Sequence, residues 1–167
     1  PLYWAFHPSW DATFYLNYYT KRGYQQEVEV RYAPTTWLKG SIRGGYIRDQ
    51  QDPDTSVFYR GGSPRTRADR WRIQGEQTAY LPMGFVSRLK ADVVSDNYFL
   101  EDFSERSRER FERYLTSTLN LTKKMDSLLF AAEAEYYRDL TAPGDDNGRT
   151  FQRLPSMLFY REGIPFI

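Results

Sequence analysis

Residues 24–32 read YQQEVEVRY, with Tyr24, Gln26, Val28, Val30 and Tyr32 at one parity and Gln25, Glu27, Glu29 and Arg31 at the other. Period-two alternation is the signature of a strand whose two sides meet unlike surroundings. Burying three consecutive charges in apolar surroundings would cost several kcal/mol each, so the charged side belongs in water. The valine side then meets either a soluble core or lipid, and strand length decides between them.

The same alternation extends outward from this stretch. LYWAFH (2–7) and ATFYLNYYT (12–20) precede it, and KRG ends the second with Gly23 at a tight turn. Beyond it, residues 37–48 put Leu38, Ile42 and Tyr46 opposite Lys39 and Arg43. RWRIQGEQTAY (70–80) and FVSRLKADVV (85–94) form the next pair, and YLTSTLNLT (114–122), SLLFAAEAEYYRD (127–139) and FQRLPSMLFYR (151–161) follow. Pro155 lacks an amide donor, which predicts an irregular or edge position for the last strand. Residues 49–69 hold no periodicity and read as a long loop, and SERSRERFER (104–113) as one or two helical turns capped by Ser104.

Several of these strands run nine to twelve residues, against roughly 5 or 6 in soluble domains and 9–11 across a bilayer. Tyrosines bracket the quoted strand, and Trp37, Tyr46, Phe85 and Tyr136 stand near strand ends, as interfacial girdles do. The expected fold is therefore all-β: an antiparallel transmembrane β-barrel segment of about eight or nine strands, one domain over residues 1–167. The chain opens on Pro1 rather than Met, and the expectation is a piece of a longer chain with a larger barrel.

Composition narrows the function. A net charge of +1 supplies no field for nucleic acid, and the absence of cysteine removes disulfides and thiolate metal sites. His7 is the only histidine and has no serine or acidic neighbour spaced for a triad, so no enzyme chemistry and no cofactor is expected. PGDDNG (143–148) does not match a calcium-loop spacing and reads as a turn.

Three motifs in order, PLYWAFHPSWDATFYLNYYTKRG (1–23), VSDNYFLEDF (94–103) and FQRLPSM (151–157), resemble the barrel region of the LptD outer-membrane proteins, the lipopolysaccharide-assembly or organic-solvent-tolerance family. The resemblance implies the outer membrane of a Gram-negative bacterium and contact with its lipid. It also implies lipopolysaccharide as the transported partner, a plug lipoprotein in the lumen, and a periplasmic lipopolysaccharide bridge reached through an N-terminal domain absent here. It implies a lateral gate at the first strands, where relatives carry prolines; Pro1 holds the first such place, and Leu16 replaces the second, so that strand keeps its amide donor.

Physical reasoning puts a seam in the same place. A lipid can leave a barrel sideways only where few backbone bonds must break, because each one exposed to hydrocarbon costs several kcal/mol. The first strand, with Tyr3, Trp4 and Ala5 hemmed between Pro1 and Pro8, offers few.

Gln25, Glu27, Glu29, Arg31, Glu133 and Glu135 are expected to face the lumen, either as a wall for sugar or plug or as simple hydration of a pore. Arg60, Arg65, Arg67, Arg70 and Arg72 crowd one short stretch. Of these, Arg65, Arg67 and Arg70 are candidates for lipid phosphate contact, with a solvated loop edge as the competing reading. In VSDNYFLEDF, Asp96 and Asn97 suit a turn, and Tyr98, Phe99 and Phe103 suit an interface belt. The alternative functions are a complete small outer-membrane barrel or passive pore, and a soluble ligand-binding barrel. A periplasmic start places the 49–69 loop on the periplasmic side, whereas long loops of bacterial barrels are normally external.

Overall fold

The computed structural model describes residues 1–50, 68–104, 108–142 and 146–161. Nine strands follow one another in space in chain order as a single antiparallel sheet: β1 (Leu2–His7), β2 (Trp10–Tyr19), β3 (Gly23–Thr35), β4 (Leu38–Arg48), β5 (Asp69–Leu81), β6 (Phe85–Val94), β7 (Tyr114–Met125), β8 (Leu128–Asp139) and β9 (Arg153–Arg161). Each strand pairs only with its chain neighbours, so β1 and β9 are the two edges among the described residues. The chain forms an all-β barrel segment, as the alternation requires.

The register places every alternating set consistently. Val28 faces Phe14 and Gly44, and Val30 faces Ala12 and Ile42; farther along, Ile73 faces Val93, and Leu119 faces Leu89 and Ala134. These residues form one apolar face. Its two ends carry rings: Tyr18 lies against Tyr24 at 4.8 Å at one end, and Trp10 stacks on Tyr32 at 5.2 Å at the other. Tyr24 and Tyr32 are eight residues apart, about 26 Å along a strand. At the Tyr32 end, Phe130 meets Phe85 at 6.2 Å and Phe159 at 5.0 Å, while the Lys123 ammonium sits 4.9 Å from the centre of the Phe85 ring. A lysine stem along apolar surface with its charge turned to the rim is how such a side chain tolerates a greasy face.

Turns and bulges follow the local chemistry. Gly23 has φ 102° where β2 turns into β3, a conformation that costs glycine little. The β8–β9 register shifts between Glu133 and Glu135, opposite Ser156 and Arg153. Pro155 lies inside this bulge on the edge strand, where its missing amide is tolerated. Gly40 is needed for another reason: a Cβ there would lie 2.4 Å from the Glu76 carbonyl oxygen and 2.6 Å from the Tyr32 hydroxyl. The Tyr32 ring crosses over Gly40 to donate to Gln77 Oε1 at 2.9 Å. Gly40→Val should therefore cost about 1–3 kcal/mol through overpacking, read as a lower urea midpoint for refolding into lipid vesicles; an unchanged midpoint would remove this account of Gly40.

The longer connections lie at the Tyr24 end, where the short β2–β3 turn (residues 20–22) also closes. β1–β2, β3–β4, β5–β6 and β7–β8 close with short turns at the Tyr32 end, whereas β4–β5, β6–β7 and β8–β9 are joined by longer segments at the Tyr24 end. The conflict over loop sidedness therefore does not come from a missed strand.

The helix falls elsewhere than the sequence reading puts it. α1 spans Phe99–Phe103, with Ser104 after its C-terminus rather than before an N-terminus, and a short 3₁₀ turn covers Glu109–Phe111; residues 105–107 of the predicted helical turn lie outside the described residues. The Tyr98 amide donates to Asp96 Oδ1 at 3.0 Å, which turns the chain into α1. Phe99, Leu100 and Phe103 then pack with Ile47, Val94, Leu115 and Leu140, and Tyr19 closes against them. These rings are thus core residues of a flap, not the interface belt expected of them.

Candidate functional site

The face opposite the apolar band carries a polar row from β3 to β8. On β3, Gln25, Glu27, Glu29 and Arg31 share it, and register carries it across the sheet: Arg31 faces Ser41, Ser41 faces Glu76, Glu76 faces Lys90, Lys90 faces Thr118 and Thr118 faces Glu135. Glu133 and Glu135 are therefore on the same face as the β3 set. Arg43 donates through Nε and Nη2 to Glu27 Oε2 at 2.9 and 2.5 Å, and Arg31 donates to Asp11 at 2.8 Å. Gln25 is buried, its Oε1 accepting from the Tyr19 hydroxyl at 3.0 Å. Glu135 accepts from the Tyr137 hydroxyl at 2.7 Å and meets Arg153 at 3.4 Å.

At the β1 edge, β1 pairs with β2 only through Leu2, Tyr3, Trp4 and His7, with a register shift between Trp4 and His7 that leaves Ala5 and Phe6 without partners in register. The β2–β3 ladder runs unbroken from Trp10–Tyr32 to Tyr19–Gly23. Leu16 pairs with Gln26 in that ladder and lies beyond the reach of β1, exposed on its side chain. Pro1 precedes β1, and Pro8 sits in its closing turn. His7 Nδ1 accepts from the Ser9 amide at 3.1 Å, a local turn bond.

Arg65 and Arg67 lie outside the described residues. Arg70 does not do what the sequence suggests: it is neither a lipid contact nor a solvated loop edge. Its side chain is 0% exposed. It donates Nε and Nη2 to the two oxygens of Asp96 at 3.0 and 2.7 Å, and Nη1 to Asp49 at 3.1 Å and Asp102 at 2.6 Å. Arg22 reaches the same Asp49 and Asp102 at 3.0 and 2.8 Å. The Phe103 ring lies 4.8 Å from the Arg70 guanidinium and 5.2 Å from that of Arg22. Two arginines and three aspartates thus pin α1 onto the polar face at the Tyr24 end. Beside them, Arg72 holds Asp92 at 2.7 Å and Glu109 at 3.0 Å. A guanidinium fork is the side chain that can satisfy several carboxylates at once without being deprotonated.

Sequence reasoning missed this cluster, although its two signals, a basic run and the acidic VSDNYFLEDF, were both in view. Burial pushes the Asp96 carboxyl up, but the hydrogen bonds and charge of Arg70, with the Ser95 hydroxyl and Tyr98 amide, hold it lower than an ordinary aspartate. A carboxyl depressed in the folded state contributes stability above its unfolded value and loses it as pH falls through the folded one. Acidification below the usual carboxylate range should therefore speed amide exchange at Tyr98–Phe103 before exchange in β3 and β4. Equal loss of protection in both would show that Asp96 does not hold the flap.

Among the described residues no group of three or more histidines and acids is placed to hold a metal ion. No helix is long and apolar enough to cross a membrane, which leaves crossing by strands untouched.

Comparison with known proteins agrees with this architecture. The family model for LptD, LPS transport system D, matches residues 68–162, which include the buried cluster's Arg70, Asp96 and Asp102. The "LPS-assembly protein LptD" of Pseudomonas aeruginosa (strain UCBPP-PA14) is 27% identical over 159 residues, covering 95% of this chain and 16% of the relative. That of Legionella pneumophila (strain Lens) is 26% identical over 175 residues, covering 99% of this chain and 20% of the relative. That of Alkalilimnicola ehrlichii is 28% identical over 168 residues, with 99% and 20% covered. The chain spans 16% to 20% of the length of these relatives. With more than half of its residues matched by the family model, in a sheet whose faces alternate as a barrel wall requires, the chain belongs to the LptD family.

Proposed function

We propose that this chain is one wall of a Gram-negative outer-membrane barrel that assembles lipopolysaccharide into the outer leaflet without a chemical step. The observation that carries the reading is the two-faced sheet: an aliphatic band bounded at both ends by paired aromatic rings, backed by a face of charges. A bilayer accepts strands of this kind because every backbone group is bonded within the sheet and only apolar side chains meet the acyl chains. Membership of the family adds the substrate, since the matched relatives are named LPS-assembly proteins.

In this reading Gln25, Glu27, Glu29, Arg31, Glu133 and Glu135 line a watery lumen that accepts the sugar portion or a plug lipoprotein. A periplasmic bridge delivers the lipid through a domain outside this chain. The β1 and β9 edges, unpaired among the described residues, support a wall segment over a self-contained small barrel, in which those strands would pair. The lateral opening lies on the outer edge of β1, the strand that carries Tyr3, Trp4 and Ala5 between Pro1 and Pro8.

Three measurements test this. Spin labels at Val28 and Glu29 of the full-length protein in bilayers should report lipid-like and water-like surroundings respectively, and the reverse would end the barrel placement. Depletion of the full-length protein should strip newly made lipopolysaccharide from the cell surface; undiminished surface labelling would end the transport role. A disulfide joining positions 3 and 13, which face each other across β1 and β2, should leave export running. Blocked export would move the opening to between those two strands.

A further inference from the structure

Charges on the polar face are satisfied differently at its two ends. Toward the Tyr24 end, Arg22, Arg70 and Arg72 each meet two or more carboxylates. Toward the short-turn end, Lys39, Arg88 and Lys90 have no ion pair among the described residues, yet all three line one cavity of about 730 Å³. Its lining carries four cations, Arg31, Lys39, Arg88 and Lys90, against two carboxylates, Asp11 and Glu76. Asp11 is already committed to Arg31 at 2.8 Å. The volume is that of a small-molecule site, which ordinarily takes roughly 300–1,000 Å³.

Register brings the three free cations together. Lys39 faces Thr78, which faces Arg88, which faces Asn120; one row over, Lys90 faces Thr118. Adjacent strands stand about 4.8 Å apart and alternate residues about 7 Å, so the three stems start within about 12 Å of one another. Their flexible heads can converge on one anion while Thr78, Thr118 and Asn120 offer hydroxyl and amide partners between them. A guanidinium and two ammonium groups favour phosphate over carboxylate-free sugar, and the polar row between them suits a saccharide.

We propose that Lys39, Arg88 and Lys90 form a docking site for a phosphorylated saccharide, the anionic headgroup of a glycolipid moving along the polar face. The proposal rests on the lipopolysaccharide reading above and specifies where on the wall the headgroup pauses.

The test uses the full-length protein in cells, with a photocrosslinking residue in place of Thr78 or, separately, of Glu29. A lipopolysaccharide adduct is expected at position 78. It should fall about tenfold or more in K39Q/R88Q/K90Q, as loss of even one charge-assisted contact would dictate, and return in K39R/K90R built on wild-type Arg88. Folding of each variant is checked by heat-modifiable electrophoretic mobility. If the triple variant does not fold, K90Q alone is read, and an unchanged adduct overturns the site. An adduct at position 29 with none at 78 overturns the docking site and leaves transport standing; none at either position overturns transport itself. With purified protein, dephosphorylated lipopolysaccharide should compete poorly for the adduct. Inorganic phosphate competing as well as intact lipopolysaccharide would reduce the site to a plain anion site.

Discussion

Replacing Arg70 with glutamine is expected to release α1 from the polar face at a cost of about 3–5 kcal/mol, the range for removing one partner of a buried ion pair. The size follows from what remains. Asp49, Asp96 and Asp102 would stay together in a nearly dry pocket, where Arg22 touches Asp49 and Asp102 but not Asp96. The rings of Phe99 and Phe103 also lose the cation at 5.9 and 4.8 Å. Arg70→Lys should recover part of the loss only, because a single ammonium cannot bind Asp96 through two parallel bonds while reaching two further carboxylates. The contrast is Arg31, whose pair with Asp11 is half exposed; Arg31→Gln should leave protection of α1 unchanged, since solvent screens such a pair. The measurement is limited proteolysis and amide exchange over residues 95–104 in the folded full-length protein. Wild-type protection in the Arg70→Gln protein would mean that hydrophobic packing alone holds α1 and that the charge cluster is incidental.

The strands were legible because they are long and two-faced. FVSRLKADVV is β6 to the residue, and the parity assigned to Glu27, Val28, Lys90 and Leu119 is the parity of the sheet. A register error of one residue would have turned every side chain over, so a long alternating run fixes its own faces. The flap and its pins were not legible for the opposite reason. α1 has five residues, too few for a helical period to stand out. The ion pairs of its cluster join residues 21 to 80 positions apart along the chain, and nothing in a linear pattern says that Arg22, Arg70 and Asp102 meet. The interface reading misled for Phe99 and Phe103, which pack inward, whereas Tyr24 and Tyr32 stand with Tyr18 and Trp10 at the ends of the apolar face; composition alone does not distinguish an outward ring from one folded inward. In β1, the register shift between Trp4 and His7 falls just before Pro8.

Val28→Arg should be the most damaging single change on the outer face, costing about 2–4 kcal/mol if the band meets the middle of a bilayer. Val28 sits midway between Tyr24 and Tyr32, and its cross-strand neighbours are Phe14 and Gly44, so no acid is at hand to receive the new charge. From the centre of the band its guanidinium has about 13 Å of strand to cross in either direction, farther than the side chain extends. Thr13→Arg is the matched control on the other face. Thr13 faces Glu29 directly, and an arginine there gains a partner in a hydrated setting, so the expected change is within about 1 kcal/mol. Refolding of the two full-length variants into vesicles, followed by urea titration, reads the difference. A large penalty at Val28 with almost none at Thr13 is what a wall between acyl chains and water must show. Equal penalties would mean that both faces are packed against protein. A penalty at Thr13 with none at Val28 would place the lumen on the valine side and remove the physical basis of the transport reading.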